Sequence, residues 1–195
     1  MTLVIVDISG YTQFIRSHEM SAIHAEEIIF DLLETVIDCA DYPLTLNKLE
    51  GDAAFLYAEM GDGTDAEVAR DVACQAQGFF NAFYARAQAL SRERADCDCN
   101  ACQRILDLKL KAVLHSGEAV FKTIRQFEEL AGEDVILVHQ LLKNSIPSDE
   151  YILATEAFYA LVGRLPEMTY SARVEQIGYF GAVTTHVFTP HADPV

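Results

Sequence analysis

The chain predicts an α+β fold: helices packed on a sheet, with a βαββαβ core and further elements towards the C-terminal end. Three observations carry that expectation. Apolar residues recur at helical spacing in two long segments, aliphatic or alternating runs of strand length lie between them, and glycine or proline punctuates the junctions.

The continuous aliphatic run at residues 3–8 reads as a buried strand. A helix follows at roughly 20–40, where Ile28/Ile29, Leu32/Leu33, Val36/Ile37 and Ala40 fall on one stripe before Pro43 ends it. Leu44–Lys48 and Ala53–Tyr57 read as strands, and the link Leu49-Glu50-Gly51-Asp52 is short enough for a hairpin. Gly61-Asp62-Gly63 breaks the chain. A long helix from about Asp65 to Arg92 carries the stripe Val68, Val72, Ala76, Phe79, Phe83 and Leu90, with Phe80 and Tyr84 also expected in the core. The polar, Cys-rich stretch 93–103 interrupts before an alternating strand marked by Leu106, Leu108, Leu110, Ala112 and Leu114. Gly117 turns the chain into a strand at about 118–125, and a helix at about 133–144 carries Val135, Val138 and Leu142. The remainder reads as a strand at Tyr151–Ala154, a short helix near 156–163, and strands near 170–177 and 182–188. This order is the ferredoxin-like layout with additions, and it predicts one domain over residues 1–195 with its helices on one sheet face.

At 195 residues and 51% hydrophobic composition, the chain can bury a sizeable core. Its 30 acidic residues against 14 Lys and Arg give a formal charge of −16, which disfavours nucleic acid and anionic membrane surfaces as partners. The first strand begins by Leu3, leaving no room for a signal peptide, and no apolar run approaches the ~18 residues of a membrane span. Five cysteines, an odd number with three clustered, fit a reducing cytoplasm better than a disulfide scaffold. A cytoplasmic location is therefore expected.

Two acidic residues concentrate the chemistry. Asp7 lies in Leu3-Val4-Ile5-Val6-Asp7-Ile8-Ser9-Gly10-Tyr11-Thr12, and Asp52 closes Lys48-Leu49-Glu50-Gly51-Asp52. An ionised carboxylate within or beside an apolar strand is costly unless it is paired or holds a metal. Two such carboxylates on adjacent strands make a site for hard divalent cations, and such a site suggests phosphate chemistry.

These residues carry a resemblance. Val6-Asp7-Ile8-Ser9-Gly10-Tyr11-Thr12 resembles the first-strand signature of the class III nucleotidyl cyclases, and Lys48-Leu49-Glu50-Gly51-Asp52 resembles their hairpin motif. His115-Ser116-Gly117-Glu118-Ala119-Val120, Gly132-Glu133-Asp134-Val135 and Gly181-Ala182-Val183-Thr184-Thr185 are similar to later segments of that family, in family order. The resemblance spans about residues 4–188. It implies that Asp7, Asp52 and the carbonyl of Ile8 hold two Mg²⁺ or Mn²⁺ ions against a purine nucleoside triphosphate, with backbone amides from Ser9 through Gly10 and Tyr11 to Thr12 around the phosphates. It also implies a homodimer with sites across the interface. Lys48 and Glu129 then occupy base-reading positions, and adenine is the favoured base, so ATP is the favoured ligand.

The pattern breaks on the catalytic side. The family's transition-state asparagine and arginine fall, on this register, at Ile136 and Gln140. Neither supplies the missing hydrogen bond or positive charge, and loss of such a group commonly costs about 10²–10⁵ in rate. A late phosphate-contacting lysine has no counterpart in Ile177-Gly178-Tyr179-Phe180; Lys143 and Arg125 are the candidates to compensate. The expectation is a nucleotide-binding domain with weak, unconventional or absent cyclase activity. The alternatives are an active adenylyl cyclase releasing cyclic AMP and pyrophosphate, or a metal- or redox-sensing scaffold.

That scaffold reading rests on Cys97-Asp98-Cys99-Asn100-Ala101-Cys102. Cys97, Cys99 and Cys102 can wrap a soft ion such as Zn²⁺ or part of an iron–sulfur cluster. The fourth ligand stays open between a histidine, Cys74, an aspartate and a dimer partner. Metal-protease, G-x-S-x-G and Walker spacings do not occur; His18, His24, His115, His139, His186 and His191 read as core or surface residues, with lining of the site as the alternative for His115 and His139.

Overall fold

β1 (Thr2–Ser9) is the spine of the sheet: it pairs antiparallel with β3 (Ala53–Ala58) on one side and with β4 (Lys109–Ser116) on the other. The computed structural model describes residues 1–11, 14, 19–59 and 63–190. Along the chain, α1 (Glu19–Asp38), β2 (Leu44–Glu50), β3, α2 (Asp65–Glu93), the one-turn α3 (Asn100–Gln103) and β4 follow β1. Then come β5 (Val120–Ile124), β6 (Phe127–Ala131), α4 (Glu133–Leu141), β7 (Tyr151–Thr155), α5 (Glu156–Val162), β8 (Met168–Ile177) and β9 (Gly181–Pro190).

Seven strands form one sheet in the order β2-β3-β1-β4-β7-β9-β8. The first four give the expected ferredoxin-like arrangement, and β7, β9 and β8 extend it past β4. Only the β4–β7 pair is parallel among these ladders.

The sheet is covered on both faces, which corrects the expectation of helices on one face alone. Val4, Val6 and Ile8 of β1 pack with α1, α2 and α5, including Ile28, Leu32, Phe79, Phe83 and Phe158. Leu3 and Ile5 face the other way, onto Phe55, Val113 and the α4 residues Val135, Val138 and Leu141. Two-sided burial explains why β1 reads as an unbroken aliphatic run rather than an alternation. The buried α2 residues include the whole predicted stripe, and Thr64 with Glu67 closes a capping box at its start.

Three local expectations are corrected. The strand expected from Leu106 begins at Lys109, because Ile105–Asp107 forms a 3₁₀ turn that buries Ile105 and leaves Leu106 exposed. The segment after Gly117 is a separate two-stranded hairpin, β5–β6, whose second strand the sequence reading did not anticipate. The helix expected over 133–144 ends at Leu141, where Asn144 Nδ2 donates to the Leu141 carbonyl at 2.7 Å.

Phe55 has no exposed surface and joins β3 to the α4 face. Phe55→Ala is expected to cost about 3–5 kcal/mol in urea denaturation. A loss below about 1 kcal/mol would show that the second face is not tightly packed.

Candidate functional site

Strand parity places Asp7 on the Leu3/Ile5 side of β1, the face that α4 covers. Asp7 sits opposite Ala53 on one neighbour and Lys111 on the other. Lys111 Nζ lies 2.7 Å from Asp7 Oδ2, and both side chains are largely buried. Asp52 lies in the β2–β3 turn after Gly51, whose φ of +68° suits glycine. The Ile8 amide donates to the Asp52 carbonyl at 3.1 Å, tying the two acid-bearing segments together. An open cleft of about 430 Å³ is lined by Asp7, Ile8, Ser9, Gly10, Tyr11, Asp52, Lys111, Leu142, Lys143 and Asp149. The structure therefore brings together the predicted metal ligands and three of the four predicted phosphate-loop residues. Thr12 lies outside the described residues.

Burial, and then repulsion from Asp7, pushes the Asp52 carboxyl above its ordinary range. Burial is the largest single influence on the Lys111 ammonium and would lower it, but the hydrogen bond to Asp7 and the electrostatic pull of Asp7, Tyr151 and Asp52 together outweigh it and hold the group above its usual value. The Tyr11 hydroxyl is also raised, by burial and then by Asp52 and Glu26. Two oxygen donors, one held uncomfortably charged, form a set that a hard divalent cation relieves, so the residues fit Mg²⁺ or Mn²⁺. Lys111 already supplies one positive charge there, and a cation on Asp7 must share that carboxylate with it. Sequence reading missed Lys111, because alternation in β4 does not disclose which β1 residue it faces.

The two predicted base-reading residues meet directly. Lys48 Nζ lies 2.9 Å from Glu129 Oε2 and 3.2 Å from Glu50 Oε1. Glu50 in turn takes His139 Nε2 at 2.9 Å, while His139 Nδ1 lies 2.7 Å from the Val135 carbonyl, the bond it donates when that nitrogen carries the proton. The Glu129 hydrogen bond, set against partial burial, holds the Lys48 ammonium above its usual value. Neither Lys48 nor Glu129 lines the Asp7 cleft.

Ile136 and Gln140 share one face of α4 by their four-residue spacing. Ile136 is half exposed. A Cβ added to Gly178 would come within 2.9 Å of Gln140 Oε1, so Gln140 lies against the turn that lacks the late lysine. The exposed Tyr179 follows in that turn. Of the two candidate compensating cations, Lys143 lines the Asp7 cleft, whereas Arg125 lies in the β5–β6 turn.

His115 is buried and does not line the Asp7 cleft. Buried on β4, it holds Asp134 Oδ1 at 3.2 Å and Thr155 Oγ1 at 2.8 Å. Burial depresses its ionisation despite Asp134. Gly117 leaves room for that carboxylate: a Cβ there would fall 2.2 Å from Asp134 Oδ2.

A second constellation lies away from the cleft. His24 Nδ1 is 3.5, 3.4 and 3.5 Å from the sulfurs of Cys97, Cys99 and Cys102. These four donor atoms all lie within 4.8 Å of one another and could hold a metal ion. The fourth residue is therefore a histidine, on the α1 stripe one turn before Ile28. Among the cysteines, Cys39 and Cys74 stand exposed and outside this cluster.

Comparison with known proteins defines the fold first. The chain has the fold of adenylyl and guanylyl cyclase catalytic domains. It superposes on the adenylyl cyclase CyaB of P. aeruginosa with a TM-score of 0.73 and 15% identity, covering 100% of this chain and 95% of that one. The guanylyl cyclase Cya2 gives 0.72 at 12% identity (99% and 93% covered), and a Trypanosoma brucei adenylate cyclase in its monomeric state gives 0.63 at 15% identity (99% and 91%). The particular family follows from sequence: residues 29–151 match the model described as "Protein of unknown function (DUF2652)", and the chain belongs to that family. A relative, "Uncharacterized protein Rv2561/Rv2562" of Mycobacterium tuberculosis (strain ATCC 25618 / H37Rv), is 38% identical over 125 residues, 64% of this chain. The match spans 56% of that relative's length.

The raised Asp52 carboxyl yields a pH prediction. A folded-state value above the unfolded one gives stability that is complete well below the ordinary 3.8 and lost as pH rises through the folded value. Asp52→Asn is expected to raise the melting temperature at neutral pH and change it little in strong acid. Equal shifts at both pH values would remove Asp52 titration as the cause.

Proposed function

We propose that this domain binds a purine nucleoside triphosphate, ATP favoured, together with Mg²⁺ or Mn²⁺, and turns it over weakly or not at all as a cyclase. The observation that carries this reading is the open cleft that gathers Asp7, Asp52, Ser9, Gly10 and Tyr11, in a chain whose α4 has uncharged Ile136 and Gln140 at the expected transition-state positions. Asp7, Asp52 and the Ile8 carbonyl would hold the metal; Ser9, Gly10, Tyr11 and Thr12 would surround the phosphates, with Lys111 and Lys143 adding positive charge. When bound, the metal would neutralise phosphate charge and act as a Lewis acid. Lys48 and Glu129 would take the adenine, the ammonium donating to a ring nitrogen and the carboxylate accepting from the amino group.

A homodimer would unite the two half-sites, since the Lys48–Glu129 pair lies outside the Asp7 cleft. At Ile136 and Gln140 no cation is available to a transferring phosphoryl group. Among the described residues no helix is long and apolar enough to cross a membrane. A cytoplasmic setting agrees with the clustered thiols. An active adenylyl cyclase is the second reading, and Lys143 in the cleft is what favours it.

Purified protein with ATP or GTP and Mn²⁺ is expected to gain thermal stability, lose that gain in Asp7→Ala, and release little or no cyclic nucleotide by mass spectrometry. Abundant cyclic product that vanishes in Asp7→Ala would establish the active cyclase instead. Indifference of the melting temperature to both nucleotides would sink the binding reading.

A further inference from the structure

We propose that His24, Cys97, Cys99 and Cys102 bind one Zn²⁺ ion as a closed tetrahedral site that clamps α1 to the chain leaving α2. Zinc takes thiolate at about 2.3 Å and imidazole at about 2.0–2.1 Å, so a tetrahedral ion sets its sulfur–nitrogen edges near 3.6 Å. The three edges from His24 Nδ1 measure 3.5, 3.4 and 3.5 Å. All four donors fall within 4.8 Å of one another, the compass of a single ion. An iron–sulfur cluster spreads its thiolates around a multi-atom core and fits this set poorly.

The surroundings support ligation. The Cys102 amide donates to Cys99 Sγ at 3.5 Å, the kind of outer bond that orients a thiolate, and this contact caps α3. Three thiolates on Zn²⁺ leave one net negative charge. Arg94 binds Glu27 of α1 at 3.0 Å and is close enough to interact electrostatically with Cys102, bringing a positive charge beside that excess. Cys102 is buried, and Cys97 and Cys99 are partly so. Four protein ligands leave no open position for a substrate, so the ion is structural. It cross-links residue 24 to residues 97–102, joining elements far apart in sequence.

The test uses the full chain, purified without chelator. About one zinc per chain by mass spectrometry of metals is expected, falling at least fivefold in Cys99→Ala. His24→Cys, which offers zinc another ligand, is expected to retain the metal. Of the five thiols, Cys39 and Cys74 should react freely with a thiol reagent while the cluster reacts only after chelation, a readout that needs no variant. Chelation should lower the melting temperature by several degrees and added Zn²⁺ restore it, and Co²⁺ in its place should give the strong visible bands of a tetrahedral thiolate site. Zinc far below stoichiometry after reconstitution, with all five thiols reactive beforehand, overturns the proposal. So does iron accompanied by acid-labile sulfide, or a disulfide within the cluster.

Discussion

A buried strand that carries a carboxylate organises this molecule. β1 is covered on both faces, and Asp7 is its one charged side chain. Left alone, that charge would oppose folding; paired with Lys111 across the β1–β4 ladder, it is compensated. The Ile8–Asp52 backbone bond then sets a second carboxylate beside the pair. The strain of that arrangement falls on Asp52, which burial and Asp7 both disfavour as an anion. The cleft and its charge follow from this one constraint on the central strand.

The charge distribution is the ground on which the proposed function sets binding apart from turnover. The cleft holds Asp7, Asp52 and Asp149 against Lys111 and Lys143, a near-balanced set that suits a metal–phosphate complex better than a bare anion. The α4 face offers Ile136, with Gln140 turned against Gly178. A catalyst of phosphoryl transfer needs positive charge where negative charge develops, and neither Ile136 nor Gln140 supplies it. The Lys48–Glu50–His139 chain meanwhile ties β2 to α4, so Lys48, proposed to read the base, rests on packed elements rather than a free loop.

Much of the core was legible because its signals are local. Two-sided burial wrote β1 as an aliphatic run, and the α2 stripe announced its own buried face. Asp7 and Asp52 stood out as charges in apolar company. What stayed hidden depends on contacts between distant segments. β6 opens Phe127-Glu128-Glu129, which shows no clear alternation, and nothing local says that α4 crosses to the opposite face. Lys111 looked like an outward strand residue until the β1 register set it against Asp7. His24 carried a fainter signal: it sits four residues before Ile28 on the α1 stripe, an odd place for an imidazole unless something there needs it.

The Cys97–Cys102 segment and the Asp7 cleft are separate constellations, one soft and closed, the other hard and open, and the same ion would not suit both. The claim that the open one is a metal-dependent nucleotide site is tested most directly by calorimetric titration of ATP into the protein, once with Mn²⁺ and once with EDTA, in wild type and Asp52→Asn. Saturable binding that requires Mn²⁺ and is lost in Asp52→Asn is the predicted result. Equal binding in EDTA, or unchanged binding in the variant, would contradict it.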